Sequence, residues 1–326
     1  MRVCVSDNAA MYEVPDQSGR LAVITGSNSG LGKEAARRLA GAGARVLLAV
    51  RSVDDGQRAR DAILDDFPQS TVEVRRVDLA SLASVSEFAR GLLADGVPLD
   101  LLLNNAGVMA VPSRLTTADG FELQFGTNFL GPFALTLQLL PLLLAAPAPR
   151  VVTMSSSAAR LGRIKLDDLQ SEHGYRPMLV YGQSKLADLM FARRLAGIAA
   201  DRGWRLVSNA AHPGYTRTNL ITNGAALRPP GGRRLAFHVL ARIPHPVQGV
   251  RTGVEPLLYA ATSSDAVNGG YYGPRGPLEM AGPAAVARVP RQARDADVAA
   301  RLWSAAEVLT GVTLPQVPGS SEAGSS

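Results

Sequence analysis

Tyr181 and Lys185 are the residues whose types and spacing most directly suggest chemistry. In a helix, residues i and i+4 lie one above the other on the same face, so the phenol and the ammonium would be neighbours. A free phenol, with a pKa of about 10, is a scarce base at neutral pH, and a nearby ammonium favours its phenolate. We expect the pair to open a helix whose Leu186, Leu189 and Met190 face the core, although the spacing alone also fits an ordinary surface pair.

A second chemical signal is the glycine-rich stretch from Thr25 to Gly32, Thr-Gly-Ser-Asn-Ser-Gly-Leu-Gly, between a short apolar run and a helical pattern. Gly26 permits a tight turn, Gly30 lets the backbone approach a pyrophosphate, and Gly32 allows close packing of helix on sheet. The pyrophosphate would lie on free N–H groups at the positive end of the helix. We expect the dinucleotide to be bound by Gly26, Ser27, Asn28, Ser29, Gly30, Leu31 and Gly32.

The end of the second predicted strand bears on which nicotinamide cofactor is bound. An acidic residue there would bind the ribose 2′-hydroxyl of NAD(H), but Val50 stands there and Arg51 follows. A guanidinium matches the geometry and charge of a 2′-phosphate. We therefore expect Arg51 and Ser52 to favour NADP(H) over NAD(H). The alternative is that Arg51 is merely solvated and that Asp54 or Asp55 meets the ribose, although both come late for this.

The elements that must position these groups alternate along the chain. Short β-branched or Leu-rich runs are separated by helical patterns, which predicts parallel strands joined by right-handed crossovers. The fold class is therefore α/β, a doubly wound parallel sheet of Rossmann type in a single domain. The predicted strands are Leu21–Thr25, Ala44–Val50, Thr71–Arg76, Leu99–Asn104, Arg150–Ser155 and Arg205–Ala211.

The predicted domain extends over residues 20–314, because no linker rich in Pro, Gly or Ser divides it. Residues 1–19 are expected to form a loose N-terminal arm and residues 315–326 a disordered tail. A loop insertion is predicted near 219–247. Its apolar side chains either cover a bulky apolar ligand or simply pack a helix on the sheet.

Composition excludes several classes of function. The 326 residues include 34 Lys plus Arg, 28 Asp plus Glu and a single cysteine, Cys4, which excludes a disulfide framework and fits a reducing compartment. The basic residues are scattered and aromatic residues are 5%, so no nucleic-acid partner is expected. Gly131 and Pro141 interrupt the most apolar stretch, residues 129–149, which favours a buried helix over a membrane span. The four histidines lack metal-ligand spacing, so we expect no metal. The single cysteine and the lack of a predicted membrane span lead us to expect a cytoplasmic location.

Taken in order, these features resemble the short-chain dehydrogenase/reductase family over about residues 20–275. The resemblance rests on the G-x-x-x-G-x-G spacing of 26–32, the Asn-Asn-Ala-Gly sequence of 104–107, the serines that end the fifth strand, and the Tyr-x-x-x-Lys pair. The spacing of 25 positions from Ser156 to Tyr181 resembles the retinol-dehydrogenase-like and protochlorophyllide-reductase-like branch.

The resemblance implies a proton-transfer group. Tyr181 would donate or take the proton, and Lys185 would tune the phenol and hold the nicotinamide ribose. Ser156 would orient the substrate oxygen, and Asn128 would hold a water in a proton relay. Ser155 or Ser157 could take the place of Ser156 if the alignment shifts by one residue.

Asn128 has a second interpretation, because an Asn in an apolar helix is also found as a buried structural residue. The resemblance further implies a set of cofactor contacts outside the glycine-rich stretch. These are Asp78, Leu79, Asn105, Ala106, Gly107, Tyr181, Lys185, Pro213, Gly214 and Thr218.

The implied activity is an NADP(H)-dependent oxidoreductase that interconverts a carbonyl and an alcohol by hydride transfer, on a bulky hydrophobic substrate. The alternative is a redox sensor or regulator that binds NADP(H) without catalysis. Members of the family often form homodimers or homotetramers through the helices after the fourth and fifth strands, and the apolar segment 133–144 would allow this.

Overall fold

The computed structural model describes residues 11–216 and 248–315. Eight strands form one sheet in the order β3-β2-β1-β4-β5-β6-β7-β8, with β8 antiparallel to β7 and all other neighbours parallel. The predicted doubly wound sheet in a single domain is confirmed. The strands are β1 Leu21–Thr25, β2 Arg45–Val50, β3 Val72–Arg76, β4 Leu101–Asn104, β5 Arg150–Met154, β6 Val207–Ala211, β7 Tyr271–Pro274 and β8 Ala284–Val286.

Alternation of side chains along the strands builds two cores. In β1, Ala22 and Ile24 face one layer of helices, whereas Leu21 and Val23 face the other. The first layer contains α1 Gly30–Gly41, α2 Val53–Asp66, α7 Val250–Gly253 and α8 Glu255–Thr262. The second contains α3 Leu82–Asp95, α4 Leu123–Phe125, α5 Gly131–Ala145, α6 Pro177–Asp201 and α9 Ala296–Thr310. The order reverses between β1 and β4, which opens a crevice at the carboxyl ends of the strands.

The apolar segment Leu123–Ala145 is long and hydrophobic enough to cross a membrane, but 78% of its most apolar window is buried inside the protein. Its α5 portion packs against α3, and Phe133 of α5 lies 5.5 Å from Phe191 of α6 between ring centroids. Trp303 of α9 meets Phe133 edge-on at 5.0 Å between ring centroids and stacks on Phe191 of α6 at 5.8 Å. Most apolar side chains of 133–144 are thus buried within the chain, and their part in a subunit interface stays a prediction.

The chain before β1 differs from the expected loose arm. Residues 11–19 are held against the rest of the protein. The Tyr12 hydroxyl lies 3.0 Å from Thr262 Oγ1, and the backbone amide of Gln17 donates to the Ala42 carbonyl at 2.8 Å. Residues 1–10, the predicted insertion at 219–247 and the tail from residue 316 lie outside the described residues.

Candidate active site

The glycine-rich stretch forms the tight turn between β1 and α1. Gly26 has φ +65°, and a Cβ there would lie 2.9 Å from the Ala106 Cα atom. A Cβ at Gly32 would lie 2.5 Å from both the Gly26 carbonyl oxygen and Asn105 Nδ2. Close approach of backbone to backbone therefore explains these two glycines, as the sequence predicted.

The Asn-Asn-Ala-Gly sequence after β4 holds this turn in place. Thr25 Oγ1 accepts hydrogen bonds from the backbone amides of Asn105 and Ala106, both at 3.0 Å. Asn105 Nδ2 donates to the Thr25 carbonyl at 2.9 Å. Asn105, which follows β4, therefore holds the turn after β1 by hydrogen bonds. Gly107, two residues later, lies close to the Lys185 side chain.

The start of α1 fits a phosphate group. Ser29 is the N-cap residue, but its side chain makes no capping hydrogen bond. Gly30 has φ +56° and open space where a Cβ would point. Free N–H groups at the first turn of a helix attract anions. Ser27 contributes structure, since its hydroxyl donates to the Ile24 carbonyl at 2.8 Å, whereas Asn28 and Leu31 are half-buried along the same turn.

At the end of β2, Arg51 is exposed and forms no ion pair within residues 11–216 and 248–315. Ser52 caps α2, its hydroxyl accepting from the Asp55 amide at 3.3 Å. Asp55 itself is paired with Arg58 on the next turn. Arg51 is thus an exposed cation without an ion pair among the described residues, at the edge where a ribose would lie.

Asp78 and Leu79 follow β3 beside this crevice. The Asp78 carboxylate accepts from the Ala80 amide at 2.9 Å, and the Asp78 amide donates to Ser84 Oγ at 3.0 Å. Leu79 is buried, and its carbonyl lies directly against Gly131, where a side chain would collide with it. The segment is therefore rigidly held with Asp78 half-buried at its start.

Asn128 lies in a π-helical turn, Gly126–Leu130, that interrupts the helix between α4 and α5. Its Oδ1 accepts from the Val108 amide at 2.7 Å, and its Nδ2 donates to the Val108 carbonyl at 3.0 Å and to Ser184 Oγ at 2.9 Å. Asn128 is thus buried and hydrogen-bonded on both sides, which agrees with a structural residue. Its part in a proton relay stays a prediction.

The structure brings Tyr181, Ser156 and Lys185 together. Helix α6 begins at Pro177, so Tyr181 lies one turn inside the helix rather than at its opening. The Ser156 hydroxyl lies on the same side as the Tyr181 phenol and lowers the pKa of that phenol, while it also accepts from the Ala158 amide at 3.2 Å. Ser155 points away, because its hydroxyl donates to the Lys185 carbonyl at 2.7 Å and ties β5 to α6. The arrangement favours Ser156 over Ser155 as the serine that meets a substrate; Ser157 begins a 3-10 turn.

The electrostatics of Tyr181 differ from the expectation. Burial raises the pKa of this phenol above its usual value, while the Lys185 ammonium and the Ser156 hydroxyl act in the opposite direction. In the protein without a bound cofactor, burial raises the pKa of Tyr181 by more than the neighbouring Lys185 ammonium lowers it. Lys185 by itself therefore does not make Tyr181 acidic.

Asp188 is a residue of this site that sequence reasoning missed. Lys185 Nζ donates to Asp188 Oδ2 at 2.8 Å and to the Met154 carbonyl at 2.8 Å, and both side chains are buried. Burial raises the pKa of Asp188 to about 6, against the effect of Lys185. The available signal was an acidic residue on the apolar face of α6, three residues after the lysine.

A second missed group lies behind the site. His212 is buried at the end of β6, and its Nε2 lies 3.0 Å from Glu279 Oε2, while its Nδ1 accepts from the Gly214 amide at 3.3 Å. Glu279 also pairs with Arg160. The His212 ring fits only because Gly273 has no side chain in its path. Burial lowers the pKa of His212, so the ring is neutral and donates from Nε2.

Pro213 and Gly214 follow β6 at the same edge of the sheet. Gly214 has φ +60° and lies against the Met280 carbonyl, and the Pro213 carbonyl accepts from Gln248 Nε2 at 2.7 Å. Thr218 lies outside the described residues. Within the described ranges, no three His, Cys, Asp or Glu side chains come together as a metal site would require.

Comparison with known proteins agrees with this architecture. The family model for short chain dehydrogenases matches residues 20–226. Polyprenol dehydrogenase of Mus musculus is 39% identical over 304 residues, which cover 91% of this chain and 86% of that protein. Retinol dehydrogenase 12 of Homo sapiens is 44% identical over 209 residues, which cover 64% of this chain and 65% of that protein.

Solved structures show the same fold. An uncharacterized protein from Mycobacterium paratuberculosis is 41% identical with a TM-score of 0.76, covering 93% of this chain and 97% of that one. Pseudomonas aeruginosa RhlG, solved with NADP in its active site, is 25% identical with a TM-score of 0.60, covering 80% of this chain and 96% of that one. This chain therefore belongs to the short-chain dehydrogenase family of oxidoreductases, in the branch of the retinol dehydrogenases.

Proposed function

We propose that this protein is an NADP(H)-dependent oxidoreductase that interconverts an alcohol and a carbonyl on a bulky hydrophobic substrate. The observation that carries the proposal is the grouping of the buried Tyr181 phenol with the Lys185 ammonium, one helical turn away on α6, and with Ser156 after β5; both of these groups act on the phenol. This group lies at the carboxyl edge of the sheet, the same edge at which the glycine-rich turn opens. A nucleotide-binding sensor would need the turn but not the buried proton-transfer group.

Each residue of the group has a chemical task. The Ser156 hydroxyl orients the substrate oxygen and stabilises the negative charge that develops on it. Tyr181 Oη donates its proton to that oxygen during reduction and takes it back during oxidation. Lys185 Nζ, fixed by Met154 and Asp188, opposes the burial penalty on the phenolate. Asn128 anchors the segment after β4 to α6 and is proposed to hold the water through which Tyr181 is reprotonated.

The residues present fit a dinucleotide. The free N–H groups at the start of α1 suit its pyrophosphate, and the open space at Gly30 lets the backbone come close. Ser52, Asp78 and Pro213 line the same edge. When bound, the nicotinamide supplies or accepts the hydride, so the work of the chain is to bind, orient and exchange the proton.

A hydrophobic substrate is supported by the surface next to Tyr181. Exposed apolar side chains are found on the elements around it: Met178 and Leu179 on the first turn of α6, and Leu161 after the 3-10 turn Ser157–Arg160, which packs against α6; Leu278 is exposed as well. Leu278 is drawn to this side by the hydrogen bond from Arg160 to its carbonyl, 3.2 Å. The names of the related polyprenol and retinol dehydrogenases agree with a long apolar alcohol or aldehyde.

Turnover with a graded series of substrates tests the proposal. Oxidation of NADPH should be measured with straight-chain aldehydes of increasing length and with retinoid and isoprenoid aldehydes. We expect kcat/KM to rise by about fourfold per methylene over the part of the chain that the protein buries. NADPH binding without turnover of any carbonyl would contradict the enzymatic proposal and favour a redox sensor.

The choice of cofactor is tested by Arg51→Ala. Loss of a charge-assisted contact to the 2′-phosphate should raise KM for NADPH by roughly 10- to 100-fold and leave KM for NADH nearly unchanged. Arg60→Ala, which removes an exposed arginine paired with Asp61 on α2, is the matched control. An equal change in KM for NADPH and for NADH in Arg51→Ala would show that Arg51 does not bind the 2′-phosphate.

A cytoplasmic location and a homodimer or homotetramer remain predictions. Neither nucleic acid nor a membrane span enters the proposed function.

A further inference from the structure

The Lys185 ammonium has two buried hydrogen-bond partners within the protein. Asp188 Oδ2 and the Met154 carbonyl each accept from Nζ at 2.8 Å, and the side chains of Lys185 and Asp188 are only 4% and 1% exposed. An ammonium has three N–H donors, so one remains free for a ligand. Two fixed bonds therefore determine the direction in which the third can point.

The second oxygen of this carboxylate is also informative. Asp188 Oδ1 is buried and has no hydrogen-bond partner within the described residues. A carboxylate that served only to anchor α6 would be expected to have both oxygens bonded. Asp188 is instead committed to Lys185 through a single oxygen, which makes the ion pair its main interaction.

Asp188 also acts on Tyr181 through space. The two residues are seven positions apart on α6, about 10 Å along the helix. The negative charge of Asp188 raises the pKa of Tyr181, opposing the effect of Lys185, although burial is the larger cause of the shift. A carboxylate beside Lys185 therefore cancels part of the positive charge that the phenol experiences.

Other groups around Tyr181 contribute less directly. Ser156, in the loop after β5, lowers the pKa of the Tyr181 phenol. From β7, the Tyr271 phenol approaches, and Glu279 and Arg160 act on Tyr271 with opposite signs. His212, next to Tyr271, is neutral. Among the described residues that act on Tyr181, Asp188 is the negative charge.

We propose that Asp188 is a positioning residue that holds the Lys185 ammonium in place through a buried ion pair and offsets part of its charge at the Tyr181 phenol. This assignment rests on the proposed function for its role in catalysis. Its consequence is that Tyr181 stays protonated to higher pH than Lys185 alone would permit. The site is thereby biased toward donating a proton, which is the requirement of carbonyl reduction.

Asp188→Asn tests this assignment, because it removes the charge but keeps the size and an oxygen that can accept from Lys185. With saturating NADP⁺, the ionisation of Tyr181 should be followed by NMR of tyrosine labelled at Cζ, with Tyr181→Phe identifying the resonance. We expect the midpoint to fall by about one pH unit in Asp188→Asn. In turnover, the loss of carbonyl reduction at high pH should move to lower pH by the same amount.

Asp100→Asn is the matched control. Asp100 is also buried, and its Oδ2 accepts from the Leu21 amide at 2.9 Å at the opposite end of the sheet. The same substitution there should leave the Tyr181 midpoint unchanged, whatever it does to stability. If Asp188→Asn does not fold, Asp188→Ser removes the same charge with a smaller side chain and is expected to give the same shift.

The outcomes separate the two proposals. A folded Asp188 variant whose Tyr181 midpoint does not fall would overturn the role of Asp188. A protein that turns over no carbonyl, yet shows the shift by NMR, would retain the ion-pair assignment and refute the proposed function. A Tyr181 midpoint that falls equally in Asp100→Asn would also overturn the role of Asp188, because the effect would then not depend on a charge beside Lys185.

Discussion

Tyr181→Phe is expected to reduce carbonyl turnover by about 10³-fold or more while leaving NADPH binding intact. The variant removes a single oxygen from a buried ring, so packing around α6 is preserved. Proton transfer by a positioned side chain contributes roughly 10²- to 10⁴-fold, and Ser156 and Lys185 would be left without the phenol on which they act. Turnover at saturating substrate and fluorescence titration of NADPH give the two measurements.

The matched control for this change is Tyr12→Phe. It removes the same atom from a tyrosine that bonds Thr262, away from the proton-transfer group. We expect its kcat to equal that of the parent protein within about twofold, because hydrogen bonds at such places affect stability rather than chemistry. Full activity in Tyr181→Phe would refute the role assigned to the phenol.

Gly32→Ala is the second change with a large expected effect. The new Cβ would lie 2.5 Å from both the Gly26 carbonyl oxygen and Asn105 Nδ2, and neither group can retreat without opening the turn. Forcing extra atoms into a close-packed contact typically costs about 1–3 kcal/mol. We expect NADPH affinity to fall at least tenfold and the melting temperature to decrease.

Gly91→Ala provides the comparison, because Gly91 lies in helix α3 with open space where its Cβ would point. The same substitution there should stabilise the protein by about 0.5–1 kcal/mol and leave cofactor affinity unchanged. Thermal unfolding and NADPH titration on both variants decide the matter. Equal behaviour of the two variants would contradict the packing role of Gly32.

Local pattern was sufficient to predict the first six strands and the cofactor turn. β1 was predicted with its observed bounds, and the other five begin and end within two residues of their predicted limits. The signals were strong for β1, β2 and β4 because a parallel strand covered on both faces is a continuous apolar run, whereas the edge strand β3, Val-Glu-Val-Arg-Arg, alternates apolar and charged residues. By contrast, β7 and β8 were missed: Tyr271–Pro274 and Ala284–Val286 are short and contain Gly, Pro and Ala, which are depleted in strands.

The candidate site was predictable where the chemistry lies within one motif. The i, i+4 geometry of Tyr181 and Lys185 follows from helical spacing alone. Asp188 was missed because an acidic residue in a helix is normally read as solvent-exposed, although its spacing of three from Lys185 is visible in the sequence; only the burial of α6 shows that the pair is enclosed. The contact of His212 with Glu279 joins residues 67 positions apart, so no local pattern could reveal it.

Helix α9 restricts how two copies of this chain can associate. With Trp303 inserted against Phe133 and Phe191, it shields the flank on which α5 and α6 would otherwise lie bare. Its outward side carries Asp297, Arg301 and Ser304 together with the exposed Val308, so this surface is polar with one apolar side chain. A partner that approached α5 and α6 from this side would therefore meet α9 first, because Trp303 already covers Phe133 and Phe191.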